Sequence, residues 1–299
     1  MRTAFVLILT GLIGFLTPCS SQSAAQGGGA TGRQTTPHQS NAYSCDSFPG
    51  AEAVVALAGA GRRFIILGEK HGTEQAPHLF ETLVCAVSRQ HPVNVFLEIR
   101  AGATAAVQAF IESDGSEQAR QAFLASDIWN PRYADGRNSR AMFDLVEALR
   151  RLRQTGAPIR VFGTQPDYPT LRPQYYSELS RAHDWARLAV TYPDGVNLIL
   201  AGAAHAALRD NDNLGFLPAA AHLRPADVFA IGPVEEGGAQ WTLNLSETGQ
   251  PVVGISPLPG RPGTRGIVLL ENSASGWNAT YAFGEPARPS TPQLSQNRQ

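Results

Sequence analysis

Four short runs of apolar residues along the chain each end in a cluster of polar residues. The runs cover residues 64–67, 94–97, 159–162 and 197–200. Runs this short, and rich in β-branched or aromatic side chains, predict buried strands. In an open parallel sheet, the carboxyl ends of the strands share one edge, which is where ligands bind. We therefore expect the polar clusters to meet at one site, although they lie far apart in the sequence.

The segments around these strands predict helices and then further strands. Apolar positions recur every three or four residues, as on one face of a helix, in the segments 77–89, 103–111, 117–124, 139–154 and 173–190. Beyond residue 205 the pattern changes to short strand-like runs, at 228–231, 240–245, 267–270 and 279–283. The Gly- and Pro-rich segment 254–266 predicts a surface loop. The expected fold class is α/β, with a mainly parallel sheet flanked by helices and an antiparallel β extension toward the C-terminus.

Both ends of the chain are expected to lie outside the folded domain. Arg2 precedes a short apolar stretch, which predicts a secretory signal peptide over residues 1–25. An alternative cleavage before Cys19 would leave a lipidated cysteine that anchors the protein to a membrane. Residues 26–44 predict a flexible leader, 45–285 a single α/β domain, and 286–299 a disordered tail. The predicted location is periplasmic or secreted, with a membrane-anchored lipoprotein as the alternative.

Charge and cysteine content narrow the function classes. The 24 basic and 25 acidic residues nearly balance, which argues against a nucleic-acid partner. In an oxidising compartment, Cys45 and Cys85 can form a disulfide. The alternative is two unpaired thiols, with Cys85 in the core. Oligomeric state is left open.

The first strand end offers an acid and an imidazole side by side. Glu69 and His71 follow the run 64–67, between Gly68 and Gly72. His71 can act as a general base or a metal ligand, with Glu69 orienting it or binding the metal beside it. The alternative is a polar strand end that caps the following helix.

Two other strand ends reinforce this interpretation. Glu98 directly follows the second run, and His205 follows the fourth among alanines. Buried acids and histidines need partners, and their gathering indicates a site. Arg100 can pair with Glu98 in a structural salt bridge or hold the substrate. His205 alone would more often be a structural histidine.

Two further residues are candidate substrate contacts. Asp167 closes the third strand between prolines, so a site role and a plain turn role are both open. Arg137 belongs with Trp129 and Tyr133 to a polar, aromatic segment that precedes a strong helix. That segment can form a lid or substrate wall, or a solvated loop.

The chain lacks the motifs of several common chemistries. It contains no Gly-x-Ser-x-Gly, no Gly-Lys-Ser/Thr phosphate loop, no His-Glu-x-x-His and no Cys-x-x-Cys. No motif therefore supports a serine or cysteine nucleophile.

Three segments together resemble a known superfamily. Residues 68–74 read GEKHGTE, the second strand ends at Glu98, and residues 201–206 read AGAAHA. They resemble the superfamily of erythromycin esterases, ChaN-type haem-uptake lipoproteins and Tiki/TraB proteases, and residues 68–71 are most similar to the ChaN-like Gly-Glu-x-His form. The resemblance implies an α/β fold with a site at the strand ends, formed by Glu69, His71, Glu98 and His205.

Two functional hypotheses follow. The leading one is an exported, hydrolase-like protein in which His71 activates water, assisted by Glu69 and Glu98, to cleave an ester, a lactone or a peptide. His205 would be a second base or an electrophilic group, and Arg100, Asp167 and Arg137 would contact the substrate. The alternative is an uptake protein that binds haem or a divalent metal without turnover, with Glu69, His71 and His205 as candidate metal ligands.

Overall fold

The computed structural model describes residues 43–130, 135–167, 174–210, 215–245, 251–271 and 275–293. The predicted signal peptide, Cys19, nearly all of the leader, Tyr133 and the last six residues lie outside this part of the chain.

A seven-stranded sheet organises the domain. Its strands, in spatial order, are β3 (Ile159–Gln165), β2 (Val93–Arg100), β4 (Val196–Gly202), β1 (Phe64–Glu69), β5 (Val228–Pro233), β9 (Ala279–Ala282) and β8 (Gly266–Leu269). All neighbouring pairs are parallel except β8 with β9. The α/β class is confirmed, and the four strands predicted from apolar runs lie side by side. The antiparallel extension toward the C-terminus is also present.

Of the helices in the described residues, five follow the predicted segments closely, and the first helix and a single turn after β4 were not predicted. In chain order, the helices are α1 (Ala51–Gly59), α2 (Gln75–Ser88), α3 (Thr104–Glu112), α4 (Glu117–Leu124), α5 (Arg140–Gln154), α6 (Gln174–Thr191) and the single turn α7 (Ala203–Ala206). The Ser139 hydroxyl accepts a hydrogen bond from the Met142 N–H, which caps α5. In the part of the chain that the structure describes, no helix is long and apolar enough to cross a membrane.

Apolar side chains cover both faces of the sheet. Alternate residues of β1 enter different clusters: Ile65 and Leu67 pack with residues of α1 to α5, and Phe64 and Ile66 pack with α6 around Trp185. A strand with both faces buried reads as one continuous apolar run, which explains the runs in the sequence. This packing fixes the strand ends, and with them the polar residues that follow.

The hairpin of β6 (Ala239–Leu245) and β7 (Pro251–Pro257) lies outside the main sheet. The sequence predicted a surface loop over 254–266, but residues 254–257 pair with β6 as part of β7. Proline content suggested a loop, but Pro251 and Pro257 stand at the two ends of β7, where a missing N–H is tolerated.

The C-terminal segment corrects a second prediction. Residues 286–293 were assigned to a disordered tail, yet their backbone is hydrogen-bonded to the domain. Arg288 O accepts from the Glu74 N–H at 2.9 Å, and Thr291 O accepts from the Arg140 N–H at 2.8 Å. Prolines cannot donate, but their neighbours' carbonyls still accept. The domain therefore extends at least to residue 293.

A disulfide between Cys45 and Cys85, with Cα atoms 5.7 Å apart, joins the N-terminal entry to α2. Of the two alternatives that the sequence left open, the structure therefore has the disulfide rather than two unpaired thiols.

Candidate active site

Three neighbouring strands bring the predicted acids and histidines together. Glu69 is the last residue of β1, Glu98 lies near the end of β2, and His205 lies on α7, directly after β4. Because β4 stands between β2 and β1 in the sheet, these strand ends converge. Glu98 is at the centre and contacts both histidines.

His71 is held between two carboxylates. Its Nδ1 lies 2.8 Å from Glu69 Oε1, and its Nε2 lies 3.4 Å from Glu98 Oε2. Burial alone would lower the pKa of His71. The negative charges of Glu98 and Glu69, and the hydrogen bonds to them, outweigh it and raise this pKa from 6.5 to about 10. The imidazole is therefore a cation at neutral pH.

Glu98 is almost fully buried and surrounded by cationic groups. Its Oε2 accepts a hydrogen bond from the Gly202 N–H at 2.7 Å, and its Oε1 lies 3.3 Å from a guanidinium nitrogen of both Arg137 and Arg181. Burial opposes ionisation, but Arg181, His205 and His71 together hold the pKa of Glu98 well below its usual value. The carboxylate is therefore ionised and fixed.

His205 has a carboxylate partner of its own. Its Nδ1 lies 2.8 Å from Glu178 Oε1, and its Nε2 lies 3.5 Å from Glu98 Oε1. Glu178 is completely buried, and its Oε2 accepts from the Ala219 N–H at 2.9 Å. A carboxylate anchored in this way orients the imidazole and favours the tautomer with a proton on Nδ1.

The sequence analysis missed Glu178 and Arg181. Both lie on α6, three residues apart and so on one face, the face that also buries Ala182, Trp185 and Leu188. Charged residues at the buried positions of an amphipathic helix were the available signal. Their partners, at the strand ends, could not be read from the sequence.

Arg137 lies at the site, and its predicted contact with the substrate stays a prediction. Its guanidinium binds both carboxylate oxygens of Asp135 and also Glu98. Burial would lower the pKa of Arg137, but the bond to Asp135 and the charge of Glu98 raise it further above its usual value. Arg137 therefore carries a permanent positive charge beside Glu98.

The structure does not bring Asp167 and Arg100 to the cluster in the expected way. Asp167 is exposed, and its Oδ2 accepts from the Gly102 N–H at 2.7 Å, which fits the turn role. Among the described residues, the arginines paired with Glu98 are Arg137 and Arg181 rather than Arg100. The cause is the register shift in β2 between Leu97 and Arg100, which breaks the simple alternation that the sequence suggested.

Gly202 makes room for the cluster. Its backbone is not left-handed, with φ of −52°, but a Cβ there would lie 2.7 Å from His71 Nε2 and 3.4 Å from Glu98 Oε2. Glycine at this position lets His71 and Glu98 approach each other across the end of β4.

The surroundings of His71 do not fit the divalent metal ion that the sequence raised, whereas haem binding stays a prediction. Both ring nitrogens of His71 face carboxylates, whereas a metal ligand needs a free, neutral nitrogen. Arg137 and Arg181 place positive charge where a cation would sit. Across the described ranges, no group of three or more His, Cys, Asp or Glu side chains is arranged to hold a metal ion.

Comparisons with known proteins show the fold. No family model and no curated protein matches the chain. Among solved structures it is similar to an erythromycin esterase, EreC, in its open conformation, with a TM-score of 0.60 and 12% identity, over 82% of this chain and 95% of that one. It is also similar to a succinoglycan biosynthesis protein, with a TM-score of 0.54 and 12% identity, over 81% of this chain and 91% of that one.

A third similarity is weaker. ChaN of Campylobacter jejuni, whose structure shows cofacial haem binding, matches with a TM-score of 0.39 and 11% identity, over 61% of this chain and 85% of that one. A likeness of this size carries no argument about function. The resemblance inferred from the sequence is confirmed at the level of the fold, which this chain shares with the erythromycin esterase.

Proposed function

We propose that the protein is an exported hydrolase that uses His205 to activate water for attack on the carbonyl carbon of an ester, a lactone or a peptide. The observation that carries the proposal is the pairing of two histidines on one buried carboxylate, Glu98, with a separate anchored carboxylate, Glu178, behind His205.

His205 is the better base of the two histidines. In the proposed role, the proton on Nδ1 lies beside Glu178 Oε1, 2.8 Å away, and Nε2, which faces Glu98 across 3.5 Å, is the nitrogen that accepts a proton. A base with a carboxylate behind it, partly open to solvent, can take a proton from water. The sequence alone favoured His71 for this role, but its raised pKa leaves that imidazole protonated and without a lone pair at neutral pH.

His71 and Arg137 then act as the electropositive side of the site. Attack on a carbonyl places negative charge on its oxygen, and fixed cations nearby stabilise that charge. Glu69 and Glu98 keep His71 charged and oriented, and Asp135 keeps Arg137 in place. The proposed division of labour is a base, His205, on one side of Glu98 and a fixed cation, His71, on the other.

Export rests on two observations. The apolar stretch after Arg2 is typical of a signal peptide, and the Cys45–Cys85 disulfide is typical of an oxidising compartment. The hydrolase proposal does not depend on whether Cys19 is lipidated.

The test compares two histidine variants on a panel of aryl esters, lactones and peptides. We expect His205→Gln to lower kcat/KM by about 10²- to 10⁴-fold, the usual contribution of a general base. His183→Gln on α6, whose side chain is largely exposed, is the matched control and should retain wild-type turnover. If the wild type turns over a substrate and His205→Gln does so equally well, the assignment of the base is wrong.

A further inference from the structure

Among the described residues, the backbone contacts that hold the outer edge of β6 to the domain lie at the beginning of the strand. The Ala239 N–H donates to Ala287 O at 2.9 Å, and the Trp241 N–H donates to Gly72 O at 3.0 Å. Neither acceptor belongs to β7, so both N–H groups point away from the hairpin partner.

The direction of these two N–H groups determines which other residues of β6 point their backbone groups outward. In an antiparallel pair, the residues whose N–H points away from the partner strand alternate with those that bond to it. Because Trp241 stands opposite Ile255, and Leu243 stands opposite Val253, Leu243 has the same phase as Trp241. Its N–H and C=O therefore point outward, and no residue in the described ranges accepts a hydrogen bond from the Leu243 N–H.

The two edges of the hairpin are protected differently. On β7, Pro251 and Pro257 stand opposite Leu245 and Ala239, at positions where an N–H would point outward. Prolines at such positions block the addition of another strand. The sequence of β6, AQWTLNL, contains no proline, glycine or charged residue. The outer edge of β6, rather than that of β7, is therefore the one that can accept another strand.

The side chains beside this edge are apolar and exposed. Leu243, Val253 and Ile255 are 51%, 42% and 62% exposed, and the register places them on the same face of the hairpin as Trp241. Neither strand carries a charged residue. An extended chain added to β6 would contact this face with every second side chain.

The open edge begins at the candidate active site. Trp241 O lies so close to Gly72 and Gly136 that a Cβ on either glycine would overlap it. Gly72 directly follows His71, and Gly136 directly precedes Arg137. A chain paired with Leu243 therefore starts next to the backbone that carries these two cations.

We propose that the outer edge of β6 binds an extended, uncharged, apolar peptide segment by strand addition at Leu243. Backbone hydrogen bonds to Leu243 hold the segment, and Leu243, Val253 and Ile255 select apolar residues at alternate positions. The bound segment lies beside His71 and Arg137. The proposal does not rest on the hydrolase assignment, since binding needs no turnover.

The test uses fluorescein-labelled heptapeptides of alternating Thr and a second residue, either Val, Leu or Lys, with blocked ends. Anisotropy should show that the Val or Leu peptide binds the wild-type protein and that the Lys peptide does not. Leu243→Pro removes the outward N–H and should weaken binding about tenfold, the effect of roughly one hydrogen bond and its desolvation. Leu243→Val keeps the N–H and an apolar side chain, so it should weaken binding less than Leu243→Pro does. Leu269→Pro, at an exposed position on β8 of the main sheet, is the matched control and should bind within about threefold of wild type.

Two further binding measurements complete the test, one with an N-methylated peptide and one with a variant of the candidate active site. If Leu243→Pro does not fold, the same peptide N-methylated at alternate residues, tested on the wild type, replaces it and should lose binding. His205→Gln should bind the unmodified peptide as the wild type does, which separates this proposal from the reaction. Failure of the apolar peptides to bind, or equal binding to Leu243→Pro, would overturn the proposal. A dimer that Leu243→Pro dissociates would also overturn it, since a second copy would then be the occupant.

Discussion

The strand-end site and the groove beside α2 differ in how they hold their charges. The groove has a volume of about 910 Å³ and is lined by α2, the start of α5 and residues 285–291. Its ion pairs, including His78 with Asp46 and Arg288 with Glu74, are between half-exposed side chains. At the strand ends, Glu98 and Arg181 are almost completely buried.

Burial, rather than the presence of ion pairs, therefore distinguishes the strand-end site from the groove. Exposed ion pairs are screened by water and contribute little to stability. Buried charges need several partners, and a fold keeps such a cluster only with a matched set of groups. The strand-end cluster combines two histidines and two arginines with four carboxylates, Glu69, Glu98, Asp135 and Glu178. The groove beside α2 holds its charges at half-exposed positions.

The most severe test of the comparison is Glu98→Gln. Removing this charge leaves the buried Arg181 and the partly buried Arg137 without their shared partner, so we expect the free energy of unfolding to fall by about 3–5 kcal/mol. Glu74→Gln in the groove removes an exposed partner of Arg288 and should change it by less than about 1 kcal/mol. Chemical denaturation measures both. Equal losses would show that burial does not distinguish the two regions.

Gly202→Ala should have a smaller effect confined to the strand-end site. The added methyl group would lie 2.7 Å from His71 Nε2, so His71 must move away from Glu98. Overpacking of this kind costs about 1–3 kcal/mol, and the pKa of His71 should fall as it loses a carboxylate. Gly254→Ala in β7, where a Cβ meets nothing within 4 Å, is the matched control. An unchanged His71 titration in Gly202→Ala would contradict the observed packing.

Arg288→Gln should have the smallest effect. Arg288 pairs with Glu74 and Glu285 on the surface of the groove, and such pairs contribute up to about 1 kcal/mol. We expect a change in unfolding free energy within that limit, and hydrolysis unaffected. A loss as large as that of Glu98→Gln would give the groove an importance that the comparison denies it.

Sequence reasoning located the strand ends well and their partners poorly. The run 64–67, followed by Glu69 and His71, can be recognised as a strand because a strand buried on both faces is a nearly continuous apolar run. Glu178 and Arg181 cannot be recognised as site residues, because the sequence of an amphipathic helix shows which face is buried but not which residues lie opposite that face. The register shift after Leu97, which removes Arg100 from its expected place, leaves no mark in the sequence.

The C-terminal segment was misjudged for a related reason. Prolines at 286, 289 and 292 suggest irregular chain, and the backbone is irregular, but its carbonyls bind Glu74 and Arg140 across the domain. Hydrogen bonds between distant segments depend on the completed fold, and local composition carries no information about them.

The raised pKa of His71 also predicts the pH dependence of stability. Because the folded value, about 10, exceeds the usual 6.5, protonated His71 stabilises the fold fully below pH 6.5. That contribution is lost as the pH rises toward 10. His71→Asn should lack this loss between pH 6.5 and 10 in denaturation experiments.

The opposite roles of His71 and His205 are the central claim, and NMR titration of the imidazole resonances tests it most directly. With His71→Asn and His205→Gln used for assignment, we expect His71 in the wild-type protein to stay protonated through pH 8 and to titrate near pH 10. If His71 instead titrates near 6.5, it is neutral at physiological pH. The claim that it supplies a fixed positive charge, and that His205 is the base, would then be contradicted.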